Sequence, residues 1–244
     1  MVAATPAHAI VAPAPGPRVV TIGRSAGGRR IVAREIGDGT RAVAVLVVGC
    51  VHGDECAGTA ITRRLRAALV PPGVDLWLVD SLNPDGAAAR TRSNARGVDL
   101  NRNFPWAWHS AGAARTGLSA GTKRLSEPET RAAYRLITAI RPDITIWYHQ
   151  RLALVDLSGG DSRIQRAYAA RVGLPLARLA RYPGNASTWQ ARALPGTTGF
   201  VVELPGGVVR RAAAARHAAA VLAAASDLLA RRPVPAPPEA PPTP

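Results

Sequence analysis

The sequence is poor in cysteine and histidine and has no long apolar run, and each scarcity excludes a class of protein. The 244 residues include 2 cysteines, too few for a disulfide framework or a four-cysteine zinc site. No uninterrupted apolar run reaches the roughly 18 residues of a membrane-spanning helix, so we expect no membrane span. The hydrophobic fraction of 47% is nevertheless sufficient for a sizeable core. Any imidazole metal ligand must come from 5 histidines: His8, His52, His109, His149 and His217.

Lysine is also nearly absent, so the formal net charge of +15 is carried by arginine. Lys123 is the only lysine, and the arginines are scattered in short pairs such as Arg63-Arg64. A nucleic-acid-binding surface more often shows a basic run with interleaved aromatic side chains. We therefore attribute the charge to a GC-rich genome composition and predict no nucleic-acid partner. Attraction to an anionic polymer, such as one of the cell wall, stays open.

The two ends of the chain differ in composition from the middle. Residues 1–17 are rich in Ala and Pro, and we interpret them as a flexible leader or a signal-peptide remnant. Residues 233–244 contain seven prolines, which predicts a disordered tail. The folded domain is then residues 18–232. An export signal upstream of Met1 would place the protein outside the cytoplasm, and without one it would be cytoplasmic. The oligomeric state stays open.

Buried-strand patterns alternate with helical patterns along this domain. Strands are predicted at residues 41–49, 74–79, 144–148 and 199–204, and helices at 58–69, 128–140, 163–172 and 208–230. Ser126 and Glu129 have the spacing of a capping box for the second of these helices, and residues 87–125 look rich in loops. The alternation predicts a single α/β domain with a mainly parallel mixed sheet flanked by helices. Ligands of such folds bind beyond the carboxyl ends of the strands.

Metal-binding side chains follow these strand ends. His52 and Glu55 come directly after the first strand and His149 ends another, which together make the usual ligand set of a catalytic zinc ion. Glu203 ends a third strand and is a candidate general base for a zinc-bound water. A histidine at a strand end is commonly a hydrogen-bonded structural residue. The combination on three strands, however, favours a site for one zinc ion.

A second group of polar residues lies at residues 91–105. Arg92, Asn101 and Arg102 could bind a carboxylate, because guanidinium groups match its two oxygens. The alternative is a solvated loop with surface arginines. Asp99 is expected to orient this loop or a neighbouring turn and is assigned no chemistry.

Two cysteines and one histidine near these motifs have simpler interpretations. Cys50 and Cys56 flank the His52 motif, and we favour small buried apolar residues over a disulfide, which stays open. His217 lies in an Ala-rich helix and is expected on the surface.

Five motifs in this order resemble zinc metallocarboxypeptidases of the carboxypeptidase A type. They are HGDE at 52–55, NPDG at 83–86, GVDLNRNFP at 97–105, YHQ at 148–150 and FVVELP at 200–205. Residues 22–29 also resemble the first strand of that family, so the resemblance covers about residues 18–230.

The resemblance implies a role for each matching residue. His52, Glu55 and His149 would bind zinc, and Glu203 would activate the zinc-bound water. Arg92 would polarise the scissile carbonyl and stabilise its oxyanion.

The resemblance also implies a set of substrate-binding residues. Asn101 and Arg102 would bind the substrate's free carboxylate, and Tyr182 would be the mobile tyrosine that covers the substrate. A structural role for Tyr182 is the alternative. Ser187 lies about where the family places a specificity-determining side chain, and a serine there indicates neither an apolar nor a basic-residue pocket.

Chain size and local motifs resemble the bacterial murein peptide amidase branch. Residues 148–156 and 183–189 carry this likeness, and Asp54 stands where many digestive members have an arginine. That branch cleaves the γ-D-glutamyl–diaminopimelate bond of cell-wall peptides. The expected substrate is therefore a murein peptide, with an ordinary peptide C-terminus as the alternative. An alternative of another class is a non-catalytic basic protein that binds an anionic wall polymer or nucleic acid.

Overall fold

Seven strands form one mixed β-sheet in the computed structural model, which describes residues 17–38, 40–110, 119–157 and 159–232. The strands are β1 (Arg18–Arg24), β2 (Arg30–Ile36), β3 (Val43–Val48), β4 (Val74–Val79), β5 (Ile144–Asp156), β6 (Leu176–Ala177) and β7 (Thr198–Pro205). The helices are α1 (Thr59–Leu65), α2 (Pro84–Ala89), α3 (Pro128–Ile140), α4 (Ser162–Val172), α5 (Ala186–Ala193) and α6 (Arg211–Leu229). The expected tail at 233–244 and all but Pro17 of the expected leader lie outside the described residues.

The sheet order is β1-β2-β4-β3-β5-β6, with β7 also paired to β5. β3 runs parallel to β4 and β5, and β5 runs parallel to β7. β1 and β2 form an antiparallel edge. The expectation of a single α/β domain with a mainly parallel mixed sheet is confirmed.

Helices cover both faces of the sheet because its central strands are apolar on both sides. Every residue of β3 and β4 is buried. Apolar residues of α1, α4 and α6 pack on one face, and those of α3 and α5 pack on the other. Each fully buried Val, Leu or Ile contributes about 1.5–3 kcal/mol. The central strands are thus held firmly, and their carboxyl ends are fixed relative to one another.

Helix α6 is long and apolar enough to cross a membrane by length and composition, with a mean hydropathy of 1.2. No uninterrupted apolar run marks this helix in the sequence, because Arg216 and His217 interrupt the alanines. In the structure one face of α6 packs into the core through Ala214, Ala218 and Val221. This face of α6 therefore contributes to the core.

Most predicted elements are present, with shifted ends. Helix α1 ends four residues before the predicted helix, and β5 extends from the predicted residue 148 to Asp156. Strand β2, the short strand β6 and the helices α2 and α5 were not predicted. Strand β2 is the second strand from the edge and mixes charged and apolar residues, so no continuous apolar run indicates it.

The predicted capping box of α3 is wrong. Glu127 is the cap residue, and no side chain caps the helix. The Glu129 side chain instead accepts hydrogen bonds from the backbone N–H of Ala26 and from Asn94. The Glu129 carboxylate therefore makes long-range hydrogen bonds and does not cap the helix.

Candidate active site

The predicted site residues lie together at the carboxyl ends of β3, β5 and β7. His52 lies in the turn after β3, whereas His149 and Glu203 are register partners on β5 and β7. The turn after β3 packs so tightly that a Cβ on Gly53 would lie 1.9 Å from the Gly86 backbone. Glycine at position 53 therefore lets this turn lie against α2.

Three donor atoms form a nearly equilateral triangle. His52 Nδ1 lies 3.1 Å from Glu55 Oε2, His149 Nδ1 lies 3.1 Å from the same oxygen, and the two Nδ1 atoms are 3.0 Å apart. The two imidazoles are buried, and Glu55 is partly buried. Within the described chain these residues form a group that could hold a metal ion.

This triangle fits zinc. Two imidazole nitrogens and one carboxylate oxygen are a usual catalytic zinc set. At Zn–N and Zn–O distances of about 2.0–2.2 Å, tetrahedral donors lie about 3.3–3.5 Å apart, within a few tenths of an ångström of the spacing here. His52, Glu55 and His149 could therefore hold one zinc ion.

A buried carboxylate orients the first of these ligands. His52 Nε2 lies 2.9 Å from Asp99 Oδ1, and Asp99 is fully buried. Burial alone would raise the pKa of Asp99, but His52 and then Arg92 outweigh it and hold the pKa below its usual range. Asp99 is thus an acceptor, so His52 donates through Nε2 and keeps the Nδ1 lone pair for a metal. The sequence alone assigns Asp99 no chemistry. Its position in a polar loop, two residues before Asn101, is the signal that could have indicated a role at the site.

Arg92 bridges two carboxylates beside the triangle. Its Nη1 donates to Glu55 Oε1 at 2.7 Å, and its Nε donates to Asp99 Oδ2 at 3.1 Å. The Arg92 Nη2 group donates no hydrogen bond to the described part of the chain. The guanidinium is therefore fixed at the site with donors to spare.

Glu203 is half-buried and lines the same cavity. Its Oε2 accepts a long hydrogen bond from the Leu152 N–H at 3.5 Å. Burial, and then the charge of Glu55, raise the pKa of Glu203 above its usual value. A carboxylate with a raised pKa is a better proton acceptor than an ordinary one.

Asn101 and Arg102 lie in a buried turn at the cavity wall. Asn101 Oδ1 accepts from the Ala186 N–H at 2.9 Å, so this amide ties the turn to α5. Arg102 donates to the Asn101 carbonyl through Nη1, while its buried Nε has no partner among the described residues. An unpartnered N–H on a buried cation is suited to binding an anion.

Tyr182 and Ser187 lie on the same side of the cavity. The Arg102 guanidinium lies 4.4 Å from the centre of the Tyr182 ring, and Tyr182 is 44% exposed. Ser187 is buried and donates to Asn185 Oδ1 at 2.9 Å. The tyrosine ring is thus open to solvent, whereas the serine is held by a hydrogen bond.

One cavity of about 500 Å³ is lined by all of the predicted site residues. They are His52, Glu55, Arg92, Asn101, Arg102, His149, Tyr182, Ser187 and Glu203. The remaining histidines do not join them: His109 is exposed, and His8 lies outside the described residues.

The preferred interpretation of the cysteines is wrong, because Cys50 and Cys56 form a disulfide. Their Cα atoms are 4.5 Å apart, within the range that a disulfide spans. The bond closes the loop that carries His52 and Glu55.

His217 is buried, not on the surface as expected. Its Nδ1 lies 2.8 Å from the Tyr168 hydroxyl, which lies 2.6 Å from the Tyr148 hydroxyl. Burial lowers the pKa of His217 to about 4. The surrounding alanines gave no indication that α6 turns this residue toward a polar partner.

The chain matches the model of the zinc carboxypeptidase family, Peptidase_M14, over residues 14–172. Murein peptide amidase A of Escherichia coli (strain K12) is 35% identical over 159 residues, which is 60% of this chain and 65% of that protein. The protein of the same name from Vibrio campbellii is 34% identical over 174 residues, with coverage of 66% and 68%. The matched segments thus span about two thirds of these relatives.

Solved structures extend the likeness beyond residue 172. The murein-tripeptide amidase of Escherichia coli O157 superposes with a TM-score of 0.66 at 28% identity and covers 91% of this chain and 95% of its own. The carboxypeptidase A of Helicoverpa armigera gives a TM-score of 0.73 at 18% identity, with coverage of 88% and 69%, and shows the same fold. The fold, the zinc-type donor set and the match over more than half of the chain agree, and the protein belongs to the zinc carboxypeptidase family.

Proposed function

We propose that this protein is a zinc-dependent metallopeptidase that hydrolyses an amide bond next to a substrate carboxylate. Its proposed substrate is a murein peptide, cut at the γ-D-glutamyl–diaminopimelate bond. The observation that carries the proposal is one cavity in which a zinc-type donor triangle, Glu203 and an arginine with an unpartnered buried N–H line the same space. The likeness to murein peptide amidases supports the choice of substrate.

Zinc held by His52, Glu55 and His149 would supply Lewis-acid chemistry, lowering the pKa of a bound water and polarising the scissile carbonyl. The chain's own residues supply the proton transfers. Glu203 takes a proton from the attacking water and later delivers it to the leaving amine. Its raised pKa suits both steps, because a carboxylate with a very low pKa holds a proton too weakly to accept it.

Arg92 stabilises the negative charge that develops on the carbonyl oxygen. Its two bonds to Glu55 and Asp99 hold the guanidinium in place before the substrate arrives. A charge that is already oriented needs no rearrangement during the reaction, which is the main source of electrostatic catalysis.

Asn101 and Arg102 bind the carboxylate adjacent to the scissile amide. Tyr182 stacks on Arg102 from the exposed side and covers the bound residue. Ser187 presents a small polar side chain to that residue. These contacts place the amide beside Glu203 and exclude some of the water.

Metal analysis and a substrate comparison test this function. We expect one zinc per chain and release of diaminopimelate from L-Ala-γ-D-Glu-meso-diaminopimelate, measured by mass spectrometry. Glu203→Gln should bind zinc and lose activity by at least about 100-fold, the usual contribution of a general base. Glu35→Gln, which removes a carboxylate from the β2 surface pair with Arg18, is the matched control and should keep full activity.

Three results would contradict the proposal in different ways. Full activity of Glu203→Gln would refute the mechanism. Trimming of ordinary peptide C-termini without cleavage of the murein tripeptide would replace the substrate class. Salt-dependent binding of an anionic polymer by a zinc-free, inactive protein would indicate a binding module instead.

A further inference from the structure

Arg151 is an arginine in the wall of the cavity that the proposed chemistry does not use. It belongs to β5, two residues after His149, and Pro205 of β7 is its register partner. Its side chain is exposed, and the guanidinium forms no hydrogen bond or ion pair with any other residue that the structure describes. The sheet therefore fixes the backbone of Arg151, while the guanidinium is available to a ligand.

Arg151 lies where two cavities meet. The larger cavity, of about 500 Å³, contains the donor triangle, and the smaller cavity has a volume of about 260 Å³. Glu55, Gln150 and Arg151 line both of them. Gly206 and Gly207 line only the smaller cavity, and their lack of side chains leaves it open. The two cavities are thus adjoining parts of one cleft, with Arg151 and a zinc-type donor at the junction.

The carboxylate site of the released residue fixes the direction in which a substrate lies in this cleft. Arg102 and Tyr182 line the larger cavity but not the smaller one. When the released residue is bound at Arg102 and the scissile carbonyl is at the donor triangle, the acyl part of the substrate extends past Glu55 toward Arg151. Arg151 is therefore placed on the acyl side of the scissile amide.

The acyl residue of the proposed substrate carries a group that suits a free guanidinium. In a γ-linked glutamyl residue the side-chain carboxyl forms the scissile amide, so the α-carboxylate is free. The planar guanidinium matches the two oxygens of such a carboxylate. Asp54, which has no side-chain partner in the described ranges either, lines the smaller cavity but not the larger one. A carboxylate that reaches Arg151 through the larger cavity therefore does not meet the charge of Asp54.

We propose that Arg151 is a specificity-determining residue that binds the free α-carboxylate of the γ-linked glutamyl residue. The inference rests on the proposed function. A bound peptide covers the guanidinium and removes water from it, so the ion pair is stronger than an exposed pair on the protein surface. A peptide with a carboxamide in place of the α-carboxylate removes the same water and offers the cation only a neutral oxygen, so it binds more weakly.

The test compares L-Ala-γ-D-Glu-meso-diaminopimelate with the same peptide whose glutamyl α-carboxylate is converted to a carboxamide. We expect the wild-type kcat/KM to favour the carboxylate peptide by at least about tenfold, the value of a hydrogen bond to a charged group. In Arg151→Gln the ratio should fall to about one, through a loss on the carboxylate peptide. A purely structural role would lower kcat/KM for both peptides equally and leave the ratio unchanged. Arg171→Gln, which removes an exposed arginine paired with Asp227 outside both cavities, is the matched control and should keep the wild-type ratio.

The variant should fold, because the Arg151 guanidinium has no partner to lose among the described residues. Circular dichroism checks this, and Arg151→Met is a second variant that should also give a ratio of about one. A ratio near one in the wild type, or an unchanged ratio in either variant, would overturn the inference.

Binding of a hydrolysis product separates this inference from the proposed function. If neither peptide is cleaved, the proposed function fails, and calorimetry with L-Ala-γ-D-Glu and its α-carboxamide on the zinc-loaded protein tests Arg151 by itself. At least about tenfold tighter binding of the α-carboxylate form by the wild type, lost in Arg151→Gln, supports the inference. Equal binding of the two forms, a preference that Arg151→Gln keeps, or no binding of either form overturns it.

Discussion

Replacing Asp99 with asparagine tests whether a buried carboxylate behind the metal site controls the affinity for zinc. Asp99 accepts three hydrogen bonds: from His52 Nε2 and the Asn101 N–H at Oδ1, and from Arg92 Nε at Oδ2. Asparagine has one oxygen and one NH₂ group in their place. If the oxygen stays at the Oδ1 position, the NH₂ group faces the Arg92 N–H, and two donors meet.

The expected loss of zinc affinity follows from these contacts. The favoured orientation keeps the His52 bond but makes it neutral, and charge-assisted bonds are about twice as strong as neutral ones. Removing a carboxylate partner of a ligating histidine typically lowers metal affinity about 10–100-fold. We expect zinc to bind Asp99→Asn that much more weakly, which corresponds to about 1.4–2.8 kcal/mol.

Competition with a chromophoric chelator measures this difference at constant pH. Asp227→Asn, which changes an exposed carboxylate, should bind zinc like the wild type. Circular dichroism of both metal-free variants shows whether they fold. A folded Asp99→Asn with a zinc dissociation constant within about threefold of the wild type would refute the proposed control of His52 by Asp99.

Three further predictions concern stability and substrate binding. Burial lowers the pKa of His217 from 6.5 to about 4. As the pH falls through this range, the unfolded chain takes up a proton before the folded chain does, so the free energy of unfolding should fall by up to about 3 kcal/mol. Urea unfolding at several pH values should show this loss in the wild type and a correspondingly smaller loss in His217→Gln. Reducing the disulfide between Cys50 and Cys56 should lower the free energy of unfolding by about 2 kcal/mol, and urea unfolding of the Cys50→Ala, Cys56→Ala double variant should match the reduced wild type. Arg102→Lys keeps the charge but loses the planar guanidinium, so the KM for the tripeptide should rise about 10–100-fold. The KM for the C-terminal carboxamide of the same peptide should change little. Equal changes in both KM values would contradict carboxylate binding by Arg102.

The central strands and the residues at their ends were predictable from local sequence. Buried parallel strands require continuous apolar runs, and β3 and β5 begin within such runs. The side chains that follow a strand end must lie at the edge of the sheet, so His52, His149 and Glu203 could be placed near one another without a structure. Strand β2 and helix α5 lack a distinctive period and could not be placed in this way.

The partners of individual side chains required the tertiary structure. Asp99 reaches His52 across 47 residues of sequence, and the Glu129 carboxylate reaches Ala26 across 103. Such a bond forms only where the whole fold brings two atoms within about 3 Å, and no local pattern records that distance. The predicted capping box failed for this reason, and His217 was placed on the surface for the same reason.

The sequence by itself thus determined the apolar core strands, because these follow from residue type and local spacing. It also predicted the zinc-type ligand set and, through the resemblance to zinc metallocarboxypeptidases, the arginines of a carboxylate site. Only the tertiary structure decided which groups orient and charge the site. It paired Cys50 with Cys56, directed Asp99 at His52 and placed Arg151 in the wall of the cavity. Hydrogen bonding and electrostatic interaction depend on distances between atoms that are far apart along the chain, and those distances are set by the packing of the complete domain.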